Sequence, residues 1–218
     1  MKTFWRRLMR AGLRHLYNKL AWAYGAVSWL VSWGEWKTWQ RAAEPWMREG
    51  RGLEIGCGRG DLLVRQVAQG QGFCGLDLSA PMLRQAQQTA RRQGITIPLC
   101  RARAEQLPFA SGSFATAVTT FPAEFVRRPA TWREIYRVLG PGGAWVWVDG
   151  GRLIRPRLWA RLSNLAFRLT TGEPTGFDPL LPALEQAGFS VRQTEAAASA
   201  RSRVGVLIAE KRAGAAAG

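Results

Sequence analysis

The chain has 218 residues and a formal net charge of +16, from 31 Lys and Arg against 15 Asp and Glu. That length suits one domain with a full hydrophobic core. The only histidine is His15, which argues against a histidine triad or a histidine-built metal site. The cysteines Cys57, Cys74 and Cys100 are odd in number and lack metal-like pairing, which argues against a disulfide framework and points to a reducing, cytoplasmic setting.

Residues 1–20 read as a basic amphipathic helix. Trp5, Leu8, Met9, Leu13, Leu16, Tyr17 and Leu20 recur at helical spacing, with Lys2, Arg6, Arg7, Arg10, Arg14 and Lys19 mostly between them. An uncharged run over 20–33 follows, too short for a bilayer, which takes about 20 apolar residues. Trp22, Trp29, Trp33, Trp36, Trp39 and Trp46 crowd this region.

From residue 51 the pattern alternates. Strands are predicted over 51–55, 73–77, 96–101, 114–120 and 144–149, with helices over 61–69 and 80–92. Ser79 stands at the N-cap of the second helix, with Pro81 in its first turn. Thr131 and Glu134 have capping-box spacing for a helix running to Leu139, and Gly140 and Pro141 stop it. After Pro156, Leu158, Trp159, Leu162, Leu165, Ala166 and Leu169 form an apolar stripe, with Arg157, Arg161 and Arg168 off it. A helix over 179–189 ending at Gly188, a sixth strand, a last strand over 204–211 and a disordered tail complete the chain.

The fold class expected is α/β: a Rossmann-like doubly wound sheet, mostly parallel with an antiparallel last strand, and helices on both faces. One domain, 1–218, divides into a basic Trp-rich helical segment (1–50), a core (51–149), a basic helical insertion (150–178), a C-terminal helix and strands (179–211) and a tail (212–218).

The chemistry concentrates in LEIGCGRG at 53–60 and LDLS at 76–79. A strand enters a turn with glycine at alternate positions, Gly56, Gly58 and Gly60, and the next strand ends on Asp77. Glycine lets the backbone take positive φ and approach a ligand closely. A carboxylate at the end of the second strand can accept both hydroxyls of a ribose. The dinucleotide fingerprint requires glycine at the sixth position of the turn, where this chain has Asp61. An acid there opposes a pyrophosphate at a helix N-terminus.

With LDLSAPMLRQA at 76–86, AEQLPFASGSFA at 104–115 and REIYRVLGPGG at 133–143, the order and spacing of these stretches resemble the class I S-adenosylmethionine-dependent methyltransferases over 53–149. That resemblance implies S-adenosylmethionine as cofactor. It places Glu54, Gly56, Cys57, Gly58 and Gly60 around the methionine part and Asp77 on the ribose, with Leu78, Met82, Ala104 and Glu105 beside the adenine. Cys57, like Cys74, also reads as a small buried apolar residue. Arg59, Arg103 and Ala115 depart from the family pattern. Arg103 removes one expected acceptor for the adenine amino group, leaving the backbone to serve it.

TTFPAEF at 119–125 falls where the fourth strand ends, the edge at which α/β sheets bind ligands. Thr120 and Phe121 are candidates for lining the methionine or the acceptor. Glu124 is either a general base or a partner of Arg127 or Arg128. LYNKLAWAYG at 16–25 resembles the Tyr-rich N-terminal segment of the branch holding quinone-biosynthesis and phospholipid methyltransferases, which implies that Tyr17 and Tyr24 close over the cofactor. By that resemblance the reaction is methyl transfer to an N, O or C nucleophile of a small amphiphilic, lipid- or quinone-like acceptor.

Three readings of the basic N-terminal helix stay open: a pocket cover with its charges in water, a peripheral contact with an anionic membrane surface, or a targeting peptide. Nucleic acid ranks lower as a partner, because the Arg residues alternate with large aliphatic side chains. RNA or a polar metabolite as acceptor, or cofactor binding without transfer, are the alternatives. No metal site and no oligomeric state is legible.

Overall fold

The computed structural model describes residues 28–30, 32–154 and 177–212. Tyr17, Tyr24, the basic helix expected over 1–20, the amphipathic stretch after Pro156 and the tail from Ala213 lie outside the described residues.

Short helix α1 (Trp36–Arg41) precedes strand β1 (Gly52–Ile55), helix α2 (Asp61–Ala68), β2 (Phe73–Asp77), α3 (Ala80–Arg91), β3 (Leu99–Arg101) and β4 (Phe114–Thr120). Then come α4 (Pro129–Val138), β5 (Leu139–Leu153), α5 (Leu181–Gln186), β6 (Phe189–Ser199) and β7 (Ser202–Lys211). The seven strands form one sheet in the order β3-β2-β1-β4-β5-β7-β6. β1 pairs in parallel with both β2 and β4, and the parallel run extends to β3 and β5. β7 is antiparallel to both β5 and β6. The crossover direction therefore reverses between β1 and β4, and the crevice at their carboxyl ends is where such sheets hold ligands.

Alternation divides the strands between two cores, because successive side chains point to opposite faces. Leu53, Ile55, Ala117, Trp145, Trp147 and Leu207 are buried with Trp132 and Ile135 of α4 and Leu184 of α5. Val118, Val146, Val148, Val206 and Ile208 are buried with Trp39 of α1, Leu62 and Leu63 of α2 and Ala86 of α3. Both faces of the parallel strands are covered, as a parallel sheet requires.

Several boundaries differ from the sequence expectation. The Thr131–Glu134 capping box does not form. α4 starts at Pro129 with Arg128 as its N-cap, and no side chain caps it. Thr131 Oγ1 instead donates to the Phe125 carbonyl (2.8 Å), and Glu134 reaches across to accept the Leu107 N–H (2.7 Å). Proline at the first helical position already fixes φ and lacks the N–H that a cap would satisfy. β5 runs from Leu139 to Leu153, longer than 144–149 and into the stretch expected to begin a helical insertion. The reason is tertiary: Arg152 and Leu153 pair with Arg203 and Ser202 of β7, beyond an irregularity at Gly150 and Gly151. The C-terminal helix is shorter than 179–189 and opens as a 3-10 turn over Asp178–Leu180, where Pro179 and Pro182 withhold N–H donors.

Candidate active site

The turn after β1 is built from three glycines in the left-handed region, Gly56 (φ 73°), Gly58 (φ 52°) and Gly60 (φ 70°). Gly60 is needed twice over: a Cβ there would lie 2.9 Å from Cβ of Ala86, so the turn sits directly on α3. At Gly58 a Cβ would meet nothing within 4 Å. The turn therefore faces open space at Gly58, a cradle that a side chain there would begin to fill. The turn is anchored from below by the Gly56 and Cys57 amides, which donate to the Leu76 carbonyl (2.7 and 3.0 Å).

Asp77 closes the turn from the neighbouring strand. Its Oδ2 accepts the Gly58 N–H at 2.9 Å and its Oδ1 accepts the Ser79 N–H at 2.8 Å. Each oxygen still has a lone pair to offer. Burial pushes its carboxyl pKa up, and the Ser79 and Gly58 amides pull it part of the way back. Ser79 does stand at the N-cap of α3 with Pro81 behind it, yet its side chain makes no capping bond.

Glu54 is fully buried and its Oε2 has no hydrogen-bond partner. Desolvation raises its pKa to about 8; the Leu63 amide opposes this, and the charges of Asp61 and Asp77 reinforce it. A buried carboxyl with one unsatisfied oxygen beside an open backbone cradle is the expected imprint of a cationic group. Cys57 presents its backbone to the turn, while its buried thiol packs on Gly75, where a Cβ would lie 3.0 Å from Sγ.

The register of β3 against β2 sets Arg101 beside Asp77, which brings the loop carrying Ala104 and Glu105 to the same edge. Ala104 is buried. The Glu105 side chain is taken by Arg128, with Arg103 3.8 Å away on the other side, so this segment offers its backbone rather than a free carboxylate. Leu78 is 54% exposed beside Asp77, an apolar surface facing water. Met82, expected with it, is fully buried in the core under α3.

At the end of β4, Thr120 is buried and its hydroxyl accepts the Gln40 amide of α1 at 3.2 Å. Phe121 has φ 46° and packs with tilted rings against Trp36 and Trp39, with ring centroids 4.4 and 5.8 Å away. These two residues thus hold α1 over the crevice, and Lys37 of α1 reaches Asp61 at the start of α2 (3.0 Å). Arg128, one expected partner of Glu124, is engaged by Glu105, and Arg127 lies over the Trp147 ring.

Sequence reasoning missed Asp149. Its carboxylate stands at the carboxyl end of β5 and accepts the Gly150 N–H at 2.8 Å. The available signal was an acid closing a predicted strand ahead of two glycines, the same grammar as Leu76, Asp77 and the turn beside them. Among the described residues no cluster of His, Cys, Asp and Glu suits a metal ion.

The donor set fits S-adenosylmethionine: an orphaned buried carboxyl oxygen for a cation, a carboxylate for a diol and a cradle without side chains. A family model described as a methyltransferase domain matches residues 53–143. Over 151 residues the chain is 32% identical to the demethylmenaquinone methyltransferase of Symbiobacterium thermophilum, covering 64% of this chain and 59% of that protein. It is 27% identical to the 2-phytyl-1,4-naphtoquinone methyltransferase of Nostoc punctiforme, covering 68% of each. The chain thus spans about three-fifths of the length of the first relative. The crystal structure of an S-adenosylmethionine-dependent methyltransferase from Thermotoga maritima, a possible histamine N-methyltransferase, superposes with TM-score 0.64 at 22% identity, covering 91% of this chain and 99% of that one. At that identity the likeness establishes the fold.

Proposed function

Because the chain belongs to the class I S-adenosylmethionine-dependent methyltransferases, we propose that it transfers the cofactor's methyl group to a ring carbon of a reduced, lipid-tailed naphthoquinone. The observation that carries the cofactor half is the pair of amide bonds holding Asp77 against the Gly58 turn. In this reading Asp77 takes the ribose hydroxyls, the Gly56 to Gly60 backbone cradles the methionine part and Glu54 Oε2 receives its ammonium. Leu78 and the Ala104–Glu105 backbone border the adenine. The cofactor supplies a methyl already activated by its sulfonium. The protein's task is therefore alignment and exclusion of water rather than strong acid–base chemistry at the methyl.

The acceptor half is supported by the two quinone-modifying relatives and by the character of the surface. Trp29, Leu30 and Trp33 are 61%, 63% and 50% exposed. Glu35, just beyond them, accepts a hydrogen bond from Ser202 (2.9 Å), and Ile154, also exposed, donates its N–H to the Arg201 carbonyl (2.9 Å). Both segments are therefore tied to the β6–β7 hairpin, which carries Arg201 and Arg203. Exposed Trp amid Arg suits the headgroup level of an anionic bilayer, the phase in which a lipid-tailed acceptor is dissolved. Among the described residues no helix is long and apolar enough to cross a membrane.

The test is incubation of the full chain with methyl-tritiated S-adenosylmethionine and chemically reduced demethylmenaquinone in phosphatidylglycerol vesicles, followed by solvent partition. Label in the organic phase that disappears in Asp77→Ala supports the reading. Label confined to the aqueous phase in a parallel incubation with cell extract overturns the lipid acceptor and moves the search to polar metabolites or RNA.

A further inference from the structure

The carboxyl end of β5 carries a polar constellation that the cofactor turn does not use. Asp149 follows Trp145 and Trp147 on one face of the strand, two residues apart each time. Arg127, from the turn after β4, lies with its guanidinium 5.6 Å from the centre of the Trp147 ring. Its charge acts on Asp149, favouring the carboxylate. Yet no ion pair within 4.0 Å joins the two, although both are described residues. The guanidinium rests over the indole instead.

Trp147 adds a donor beside the acid. It is fully buried, and its indole N–H faces Asp149 closely enough to favour the carboxylate while making no hydrogen bond of full geometry. A buried donor held there and only partly met can still take a further acceptor. Phe177 packs edge-on against that indole, with centroids 5.1 Å apart.

The constellation borders the cofactor turn. A Cβ on Gly56 would come within 3.1 Å of the Phe125 ring, and Phe125 lies two residues before Arg127 on the same turn. Phe121 donates its N–H to the Val148 carbonyl (2.8 Å), which ties the end of β4 to the residue preceding Asp149. Phe125 thus borders the glycine turn, and the end of β4 is fastened beside the strand that carries Asp149.

We propose that Asp149, Arg127 and Trp147 form the acceptor corner of the site: they receive the hydroxyl of an aromatic alcohol or enol, Asp149 takes its proton and Arg127 holds the oxyanion. This rests on the naphthoquinol reading above and assigns residues to it. The hydroxyl proton passes to Asp149, and the oxygen's electron pair delocalises onto the adjacent ring carbon. That carbon bonds to the methyl as the methyl–sulfur bond breaks, the sulfur keeping the bonding pair and losing its positive charge. The ring carbon then releases its own proton to water, and the oxygen recovers one from Asp149. One proton is released overall and no external oxidant or reductant is consumed. Burial raises the Asp149 pKa, Gly150 and Arg127 limit that rise, and the result is a stronger base than a surface aspartate.

The experiment compares wild type, Asp149→Asn, Asp149→Glu and Arg127→Met in the full chain. Turnover is followed with reduced demethylmenaquinone, and binding of 1,4-dihydroxynaphthalene by anaerobic calorimetry in the presence of S-adenosylhomocysteine. Asp149→Asn is expected to lower kcat about 100-fold or more, the usual worth of a positioned base, with S-adenosylhomocysteine affinity within twofold of wild type. The low-pH limb of the rate profile should vanish with it, and Asp149→Glu should recover part of the rate. Arg127→Met is expected to act mainly on KM.

An Asp149→Asn variant that turns over within about threefold of wild type overturns the assignment. So does one that loses S-adenosylhomocysteine affinity in parallel with turnover, because a structural role produces that pattern. If the wild type binds S-adenosylhomocysteine but does not methylate the quinol, the acceptor reading of the preceding section fails. The corner is then decided by calorimetry alone: equal binding of dihydroxynaphthalene in wild type and Asp149→Asn overturns it, and binding lost in Asp149→Asn sustains it.

Discussion

The Gly58 amide donates to Asp77 Oδ2 at 2.9 Å, so the glycine turn and the acid on the neighbouring strand are one device. With the Ser79 amide on Oδ1, the carboxylate is fixed by two backbone donors that belong to different ligand-facing segments. A change at Asp77 therefore alters the shape of the turn as well as the charge it presents.

Replacing Asp77 by Asn keeps the size and removes the charge. One oxygen becomes an NH2 group that cannot accept from Gly58 or Ser79. The expected loss in S-adenosylmethionine affinity is about 10- to 100-fold, the worth of a charge-assisted hydrogen bond at roughly 1.5–3 kcal/mol. Because burial raises the Asp77 pKa, wild-type affinity should also weaken as pH falls toward the carboxylate range, and the Asn variant should not follow it. Calorimetric titration at several pH values checks both. Equal affinities at neutral pH would remove Asp77 from the site.

The glycines separate fold from binding. Gly58→Ala places a methyl in open space at a left-handed φ, costing about 1–2 kcal/mol of stability. Gly60→Ala carries the same backbone cost plus a clash with Ala86, and overpacking adds typically 1–3 kcal/mol. Urea midpoints should therefore fall further for Gly60→Ala. Gly58→Ala should lose more cofactor affinity than its modest stability cost explains. The reverse ranking would mean that the cradle is not where the ligand lies.

Much of this was legible in the residues. The expected bounds of β2 and β4, 73–77 and 114–120, match those observed, because short largely apolar runs bounded by glycine or polar turns suit strands buried on both faces. The turn glycines and Asp77 were legible because so few residue types tolerate that geometry. What failed depended on distant partners. Thr131 and Glu134 have capping-box spacing, but Leu107 and Arg137 compete for Glu134 and prevail. β5 is long because β7 extends it. Asp149 gains its character from burial, opposed by the Gly150 amide and by Arg127, all of which only the fold brings together.

The Glu134 clamp gives a third expectation. Its carboxylate accepts from the Leu107 N–H and from two nitrogens of Arg137, which also donates to the Leu107 and Phe109 carbonyls (2.9 and 2.7 Å). This fastens the loop after Ala104 and Glu105 onto α4. Glu134→Ala should cost about 2–3 kcal/mol, more than an exposed ion pair, because it strands the Leu107 amide and the guanidinium. Arg137 holds the Glu134 pKa below the usual value. Its contribution is thus present above the unfolded pKa and is lost as pH falls through the folded one. Thermal melts of wild type and variant should converge at acid pH; a constant difference would show that the charge plays no part.

Glu54 runs in the opposite direction. Its folded pKa, about 8, lies above the ordinary 4.5. Between those values the folded state binds a proton that the unfolded chain has released, so stability falls as pH rises through this window and levels off above the folded pKa. The full span is on the order of 4–5 kcal/mol at about 1.4 kcal/mol per unit. Glu54→Gln removes this slope, and around pH 8.5 it should be the more stable protein, although at acid pH it gains nothing. Urea unfolding from pH 5.5 to 8.5 tests this, and a wild-type curve as flat as the variant's would refute it. The cofactor adds a second handle. An ammonium placed at the unsatisfied Oε2 favours the carboxylate, so binding at neutral pH should expel about one proton from Glu54. Calorimetry in two buffers of different ionisation enthalpy counts that proton directly. Its absence from wild type, or its persistence in Glu54→Gln, would place the ammonium elsewhere and leave Glu54 as a buried organiser of the glycine turn.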